Sequence, residues 1–312
     1  MIMKIKRILN DINQLLSIPV ILNGYFKSMK HENEEIKLMM GKILVNQLKT
    51  SKQIMSLHDA EFKVFSQWGD DGIIQYLINN IDILNKSFIE FGVENYKESN
   101  TRFLLINNNW KGFIMDSSEK NIEQIKNEDI YWKYDLTAKA AFITAENINQ
   151  LITDAGFTGE IGLLHIDIDG NDYWVWKAIK VVNPIIVIVE YNSVFEIDRA
   201  ITIPYDSSFC WTNAHYSNLY FGASLLALCD LAEEKGYFFV GCNSNGNNAY
   251  FIRKDKIGNM KVLTPKEGYV YSKFRESRDK GGNLNYIGGG ERLEVIRGMK
   301  IYNTRTDKLQ SI

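Results

Sequence analysis

Up to about residue 57, apolar positions recur at three- and four-residue steps. Ile36, Met39, Met40, Ile43, Leu44 and Leu48 form one stripe with the period of an α-helix. Such a stripe packs on a parent domain or a second subunit more often than it binds a small molecule. Residues 1–58 therefore read as a helical extension that docks or forms a homodimer. From about residue 62 the pattern changes. A helical segment at 73–84 precedes short apolar runs at Ser87–Val93, Gly112–Asp116, Tyr131–Tyr134, Gly162–Asp167 and Ile185–Glu190. Between these runs lies helical periodicity at about 98–108, 119–126, 138–155 and 172–181. Strands alternating with helices predict βαβ units and a parallel sheet covered on both faces. Ile185–Val189 is apolar throughout, as a strand buried on both faces must be.

A further helical stretch at 222–235 ends at Gly236, a residue suited to a left-handed C-cap. Tyr237–Cys242 and Ala249–Arg253 then flank the turn-rich Asn243–Asn248, which predicts a hairpin and one antiparallel strand. Seven strands, mostly parallel and finishing in such a hairpin, predict the class I methyltransferase version of the Rossmann-like α/β fold over residues 59–255. Dinucleotide dehydrogenases finish on parallel strands instead. Residues 256–312 read as an extension packed on that domain, with strand-like pieces at Leu293–Ile296 and Met299–Tyr302 and no core of its own.

Composition narrows the class without choosing a function. The chain has 312 residues, 45% hydrophobic and 24% charged, ordinary values for a globular protein. A formal charge of -2 gives no whole-protein pull toward nucleic acid or acidic lipid, and no basic patch with interleaved aromatics stands out. Cys210, Cys229 and Cys242 form no C-x-x-C pair, which argues against a disulfide framework or a zinc site and for a reducing, cytoplasmic setting. Lys4, Lys6 and Arg7 precede an apolar patch at Leu15–Leu22, where a peripheral membrane contact is a secondary reading. Polar residues interrupt that patch, so neither a transmembrane segment nor a secretory leader is expected.

In an open α/β sheet, ligands bind beyond the carboxyl ends of the strands. The first apolar strand ends in Glu90-Phe91-Gly92-Val93. Gly92 lets the backbone approach a ligand closely, unless it serves only a tight turn, and Glu90 is placed to accept hydrogen bonds from a cationic amine. Asp116 ends the second strand, where a carboxylate can hold ribose hydroxyls, and Ser117 follows it. Asp135 ends the third, near the expected place of an adenine amino group. The missing G-x-G-x-x-G pattern argues against a pyrophosphate on a helix N-terminus, so S-adenosylmethionine suits this loop better than NAD.

The densest chemistry lies in His165-Ile166-Asp167-Ile168-Asp169-Gly170-Asn171-Asp172-Tyr173-Trp174. Asp167 and Asp169, two apart on extended chain, point the same way, Gly170 permits a sharp turn, and Asp172 is a good N-cap. If the fourth and fifth strands are neighbours, Asp167, Asp169, Glu190 and Asn192 converge. Clustered carboxylates raise one another's pKa, so one of them can take a proton from an acceptor hydroxyl. The oxygens of Asp167, Asp169 and Glu190 equally suit Mg²⁺ or Mn²⁺. His215 is a further candidate base or ligand, or simply a loop residue. Ser66, Gln67, Asp70 and Asp71 mark a loop that either folds over a cofactor or caps the next helix.

The stretches FSQWGDDG at 65–72, FIEFGV at 88–93, HIDIDGNDYWVWKAI at 165–179 and VIVEYN at 187–192 follow one another in the chain. YFGASLLALCDLAEEKGYFFVGCNSNGNNAYFIR at 220–253 and KFRESRD at 273–279 complete the series. Over residues 60 to about 300 the sequence resembles the FkbM-like branch of S-adenosylmethionine-dependent methyltransferases, whose members often sit in bacterial surface-carbohydrate gene clusters. The resemblance implies an O-methyltransferase acting on a hydroxyl of a bacterial glycan or nucleotide-linked sugar. Expected cofactor contacts are Gln67, Glu90, Gly92, Val93, Asp116, Ser117, Asp135 and Asp167, with catalytic roles for Asp167, Asp169 and His215. Val93-Glu94-Asn95-Tyr96 replaces the glycine-rich continuation usual in methyltransferases. The alternative reading is a non-catalytic cofactor-binding or scaffold member that recruits a partner through its helical extension.

Overall fold

The computed structural model describes residues 2–51 and 54–312, and for residues 2–21, 23 and 27 the backbone alone. Its strands are β1 (Ser87–Phe91), β2 (Lys111–Asp116), β3 (Leu136–Ala140), β4 (Gly159–Ile166), β5 (Val182–Glu190), β6 (Ile201–Thr202), β7 (Tyr237–Cys242), β8 (Asn248–Arg253), β9 (Lys300–Asn303) and β10 (Lys308–Ser311). Seven of them form one sheet in the order β3-β2-β1-β4-β5-β8-β7. β1 to β5 pair in parallel, and β8 runs antiparallel between β5 and β7. This is the α/β methyltransferase-type sheet that the strand spacing predicts. The closing hairpin folds its second strand inward, so β7 and not β8 takes the edge.

Alternation along each strand builds two cores. Ile89, Phe91, Phe113, Met115, Val187 and Val189 join one apolar cluster, while Phe88, Ile114, Ile186 and Ile188 join the other on the opposite face. Burial on both sides is why β5 reads as an unbroken apolar run. The helix Leu225–Lys235 starts at Ser224, whose side chain accepts from Ala227 N, and closes at Gly236 in a left-handed conformation.

Three expectations need correction. Tyr131–Tyr134 is not the third strand: Asp129–Lys133 forms a short helix, and the strand is the less apolar Leu136–Ala140 at the sheet edge. The helix expected from 138 begins only at Ile148. The strand expected at Leu293–Ile296 is absent, and Ile296 and Ile301 pack with Val194, Phe195, Ile201, Ile203, Leu219 and Tyr220. There β6, β9 and β10 make a second, antiparallel sheet, and Leu293 lies in a helix, Glu291–Val295, instead of a strand.

The N-terminal helix, Ile2–Thr50, divides the stripe read from the sequence. Gly41 and Val45 are buried, and Leu38, Leu44 and Leu48 half-buried, on the side that meets helices Asp70–Asn80 and Arg102–Asn108. A Cβ at Gly41 would come within 2.8 Å of the Phe103 and Val64 side chains, so the helix lies close there. Ile36, Met39, Met40 and Ile43 face solvent. Among the described residues, no helix is long and apolar enough to cross a membrane.

Candidate active site

The carboxyl ends of β1, β2, β4 and β5 open into one crevice. Its larger part, about 520 Å³, lies over β1, β4 and β5, and a smaller part of about 150 Å³ lies beside β2. Gly92, Glu94, Asp167 and Asp169 line both. Gly92 has φ +73, and a Cβ there would lie 1.7 Å from the Asp167 carbonyl oxygen. Glycine is thus required to let the tips of β1 and β4 touch, a packing reason that does not depend on a ligand.

Glu90, at the bottom of the crevice, is saturated by the protein. It accepts from Ser99 Oγ at 2.6 Å, Asn100 N at 3.0 Å, Thr101 N at 3.2 Å, the Thr101 hydroxyl, and His165 Nδ1 at 3.0 Å. Burial opposes its charge, but the His165 contact and the two hydroxyls outweigh it and hold the carboxyl below the ordinary range. His165 is moved upward: burial works against its charge, and Glu90, then Asp167, prevail. The expectation that Glu90 receives a ligand amine is therefore corrected. Its oxygens are engaged in ordering residues 99–101.

Asp116 ends β2 as expected. Its Oδ1 accepts from Ser118 N at 2.8 Å and Asn121 Nδ2 at 3.2 Å, while Oδ2 takes only Glu94 N at 2.8 Å and keeps a free lone pair. Asp116 and Ser117 face the smaller hollow beside Phe142, Ile143 and Phe209. Asp135 does not join them. It precedes β3, is exposed, and its carbonyl accepts from Gly112 N at the start of β2, the opposite edge of the sheet. Val93 points into the core and lines neither hollow.

β4 and β5 pair with Ile166 beside Val189, which sets Asp167 next to Glu190. Donor oxygens of Asp167, Asp169 and Glu190 all lie within 4.8 Å of one another. The reason for Asp169 is not an extended chain, since β4 stops at Ile166. Asp169 takes a left-handed φ of 53, and Asp172 holds that turn by accepting from Ile168 N at 2.8 Å and Gly170 N at 2.9 Å. Asn171, not Asp172, occupies the N-cap position. Burial, reinforced by Asp172 and Glu90, raises Asp167 to about 7 despite the opposing charge of His165. Burial and then the Asp167 and Asp169 charges push Glu190 well above the carboxylate range. Asp169 also moves upward, through burial of its inner side and the charges of Asp167 and Asp172, although it stands at the exposed rim where water screens them.

Acceptors without donors gather beside this cluster. Glu190 Oε2, Asn248 Oδ1 and Asp70 Oδ2 are buried and have no hydrogen-bond partner. Glu190 pairs with Asn248 across β5 and β8, and Asn248 Nδ2 donates to Asp70 Oδ1 at 3.0 Å. Asn192 stays outside: its amide donates to Leu219 O and Phe221 O at 2.9 and 3.0 Å, and its oxygen accepts from Val194 N. His215 is also apart. It bonds Ser217 Oγ at 2.8 Å, rests on Tyr216, and lines no part of the crevice.

The loop before the first helix of the domain serves two ends. Asp71 Oδ2 accepts from the amides of Val64, Phe65 and Ser66 at 2.7–2.8 Å, and burial still lifts it to about 6. This leaves Gln67 and Trp68 on the crevice wall. The wall residues that sequence reasoning missed come from afar: Phe221, Phe274, Glu276 and Arg292. Trp68 and Phe274 stack with centroids 6.4 Å apart. Arg292 is 2% exposed, lies 5.7 Å from the Phe274 ring and donates to Ser272 Oγ at 2.6 Å. KFRESRD was visible as a motif, but nothing local signalled where it would fold. Seven carboxylates line the larger hollow (Glu90, Glu94, Glu98, Asp167, Asp169, Glu190 and Glu276) against Arg292 and His165. Acidic side chains thus outnumber basic ones on the lining.

No family model matches the chain, and no curated protein matches it. Among solved structures, it is similar to an S-adenosylmethionine-dependent methyltransferase from Clostridium acetobutylicum, with 11% identity over 59% of this chain and 90% of that one, TM-score 0.39. TehB from Haemophilus influenzae shares 12% identity over 60% of this chain and 62% of its own, TM-score 0.38. An O-methyltransferase from Bacillus cereus, in complex with SAH, shares 11% over 69% and 89%, TM-score 0.34. Likeness this distant leaves the fold resting on the strand order itself.

Proposed function

We propose that this chain is an S-adenosylmethionine-dependent O-methyltransferase whose crevice deprotonates an acceptor hydroxyl. The observation that carries the reading is the convergence of half-buried Asp167, exposed Asp169 and buried Glu190 at the tips of β4 and β5, beside the free lone pair of Asp116. The residues present fit the cofactor. Asp116 Oδ2 would hold a ribose hydroxyl, the hollow with Ser117, Phe142 and Ile143 would hold the base, and the acidic walls favour a cation. S-adenosylmethionine, when bound, supplies an electrophilic methyl group on a sulfonium.

The chain's own part is proton removal and alignment. Asp167, with a pKa of about 7, is matched to accept the hydroxyl proton near neutral pH, and Asp169 stands beside it. The same three carboxylates fit a hard divalent cation, because Glu190 Oε2 lacks a partner and three oxygens already converge. Mg²⁺ or Mn²⁺ there would acidify the acceptor hydroxyl.

The FkbM-like resemblance supports a carbohydrate acceptor, and Trp68, Trp211, Phe221 and Phe274 supply aromatic faces on the wall. Of the two acceptors it implies, the acidic walls favour an uncharged glycan hydroxyl over a pyrophosphate-linked sugar. Calorimetry with S-adenosylhomocysteine, with and without Mn²⁺, tests the proposal. Binding that Asp116→Ala weakens at least tenfold is expected, and no detectable heat with either ligand would overturn it.

A further inference from the structure

The N-terminal helix has two apolar faces, and the domain covers one. Gly41, Val45 and their neighbours meet the domain and leave Ile36, Met39, Met40 and Ile43 exposed on the other side, while Leu22, Tyr25, Phe26 and Met29 lie on a segment whose described residues are all exposed; the eight are 41–66% exposed. Single exposed apolar residues need no explanation, but eight on one side of a helix, broken only at Glu32 and Asn33, do. We infer that this face pairs with the same face of a second copy of the chain.

Spacing argues for a helical partner. Leu22, Met29, Ile36 and Ile43 stand seven residues apart, and the others flank them at steps of three or four. A straight α-helix drifts roughly 20° per heptad, so a strict seven-residue seam stays in register only against another helix that supercoils with it. The seam covers three heptads, on the order of 32 Å of helix. Area argues that the pairing is stable. Fully covering these side chains would remove on the order of 900 Å² per copy, close to the ~800 Å² per partner of a standard specific interface. A two-fold pairing uses one patch on both copies and closes on itself, so no further partner is needed. A lipid surface fits less well, because Glu32, Glu34 and Glu35 offset Lys27, Lys30, Lys37 and Lys42, whereas an interfacial helix carries a strongly basic polar face.

Sedimentation velocity on the full chain, at a concentration on the order of 50 µM, tests the pairing. The wild type should sediment at twice the 36.0 kDa of one chain, and Ile36→Glu with Ile43→Glu should bring it to 36.0 kDa with an unchanged circular dichroism spectrum. Both side chains are exposed, so the variant keeps its fold. A wild type that stays at 36.0 kDa, a double variant that stays dimeric, or a 36.0-kDa wild type that binds anionic vesicles would overturn the inference.

Discussion

Two acidic centres share the crevice and are in opposite states. At the tip of β1, Glu90 has five protein donors and is held ionised below the ordinary range. At the tips of β4 and β5, Glu190 has an oxygen with no partner, and both Glu190 and Asp167 are pushed upward. Glu90 and Glu190 are both buried, so burial alone does not separate them. Donors do: a carboxylate filled by amides and hydroxyls is part of the scaffold, whereas carboxylates facing one another retain a demand for a proton or a cation.

The sharpest way to break this contrast is to remove the base. Asp167→Asn should lower methyl transfer about 10²–10⁴-fold while leaving thermal stability equal or higher, because it deletes a repelled charge. Radiolabel transfer and scanning calorimetry on the same sample check it, and a destabilised variant would place Asp167 with Glu90 as scaffold. Next comes Glu90→Ala, which strands His165 and the donors of residues 99–101. It should cost about 3–5 kcal/mol of stability, the usual loss when one partner of a buried pair is removed. Urea unfolding measures it, and a loss below about 1 kcal/mol would show that the network contributes little.

The two centres should also answer pH with opposite sign. Glu90 has a folded pKa below its ordinary 4.5, so its contribution is present above that value and fades as pH falls through the lower one. Asp167 has a folded pKa of about 7, above its ordinary 3.8, so its contribution is full below 3.8 and is lost as pH rises through 7. The metal-free melting temperature should therefore decline between about pH 5 and about pH 7 and level off above. About 1 mM Mn²⁺ should restore it at the upper end and do little at the lower, where protons hold the oxygens. A melting temperature that ignores Mn²⁺ at both ends would leave the trio to proton chemistry alone. The smallest effect should belong to His215→Ala, which lies outside the crevice: within about 0.5 kcal/mol in stability and with activity near that of the wild type. A large loss of turnover would return His215 to the catalytic group.

Much of the fold was legible because burial on both faces forces unbroken apolar runs, and β1, β2, β4, β5 and the hairpin of β7 and β8 stand close to where those runs lie. β3 was misread for the converse reason. An edge strand such as Leu-Thr-Ala-Lys-Ala needs little apolar content, while Tyr131-Trp132-Lys133-Tyr134 looks like a strand and curls into a turn of helix. Misplacing β3 also misplaced Asp135, because a residue before a strand lies at the edge away from the ligands.

The sequence by itself determined the alternation of strands and helices and the acidic character of the tips, since both follow from side-chain period and local chain order. It did not decide which acids are already occupied. Glu90 is bonded by His165, Asp70 by Asn243, Asn248 and Tyr250, and the crevice is walled by Phe274 and Arg292, all far away along the chain. Hydrogen-bond satisfaction and desolvation act over a few ångströms in space, so only the folded arrangement separates the carboxylate that holds the scaffold from those that await a proton or a cation.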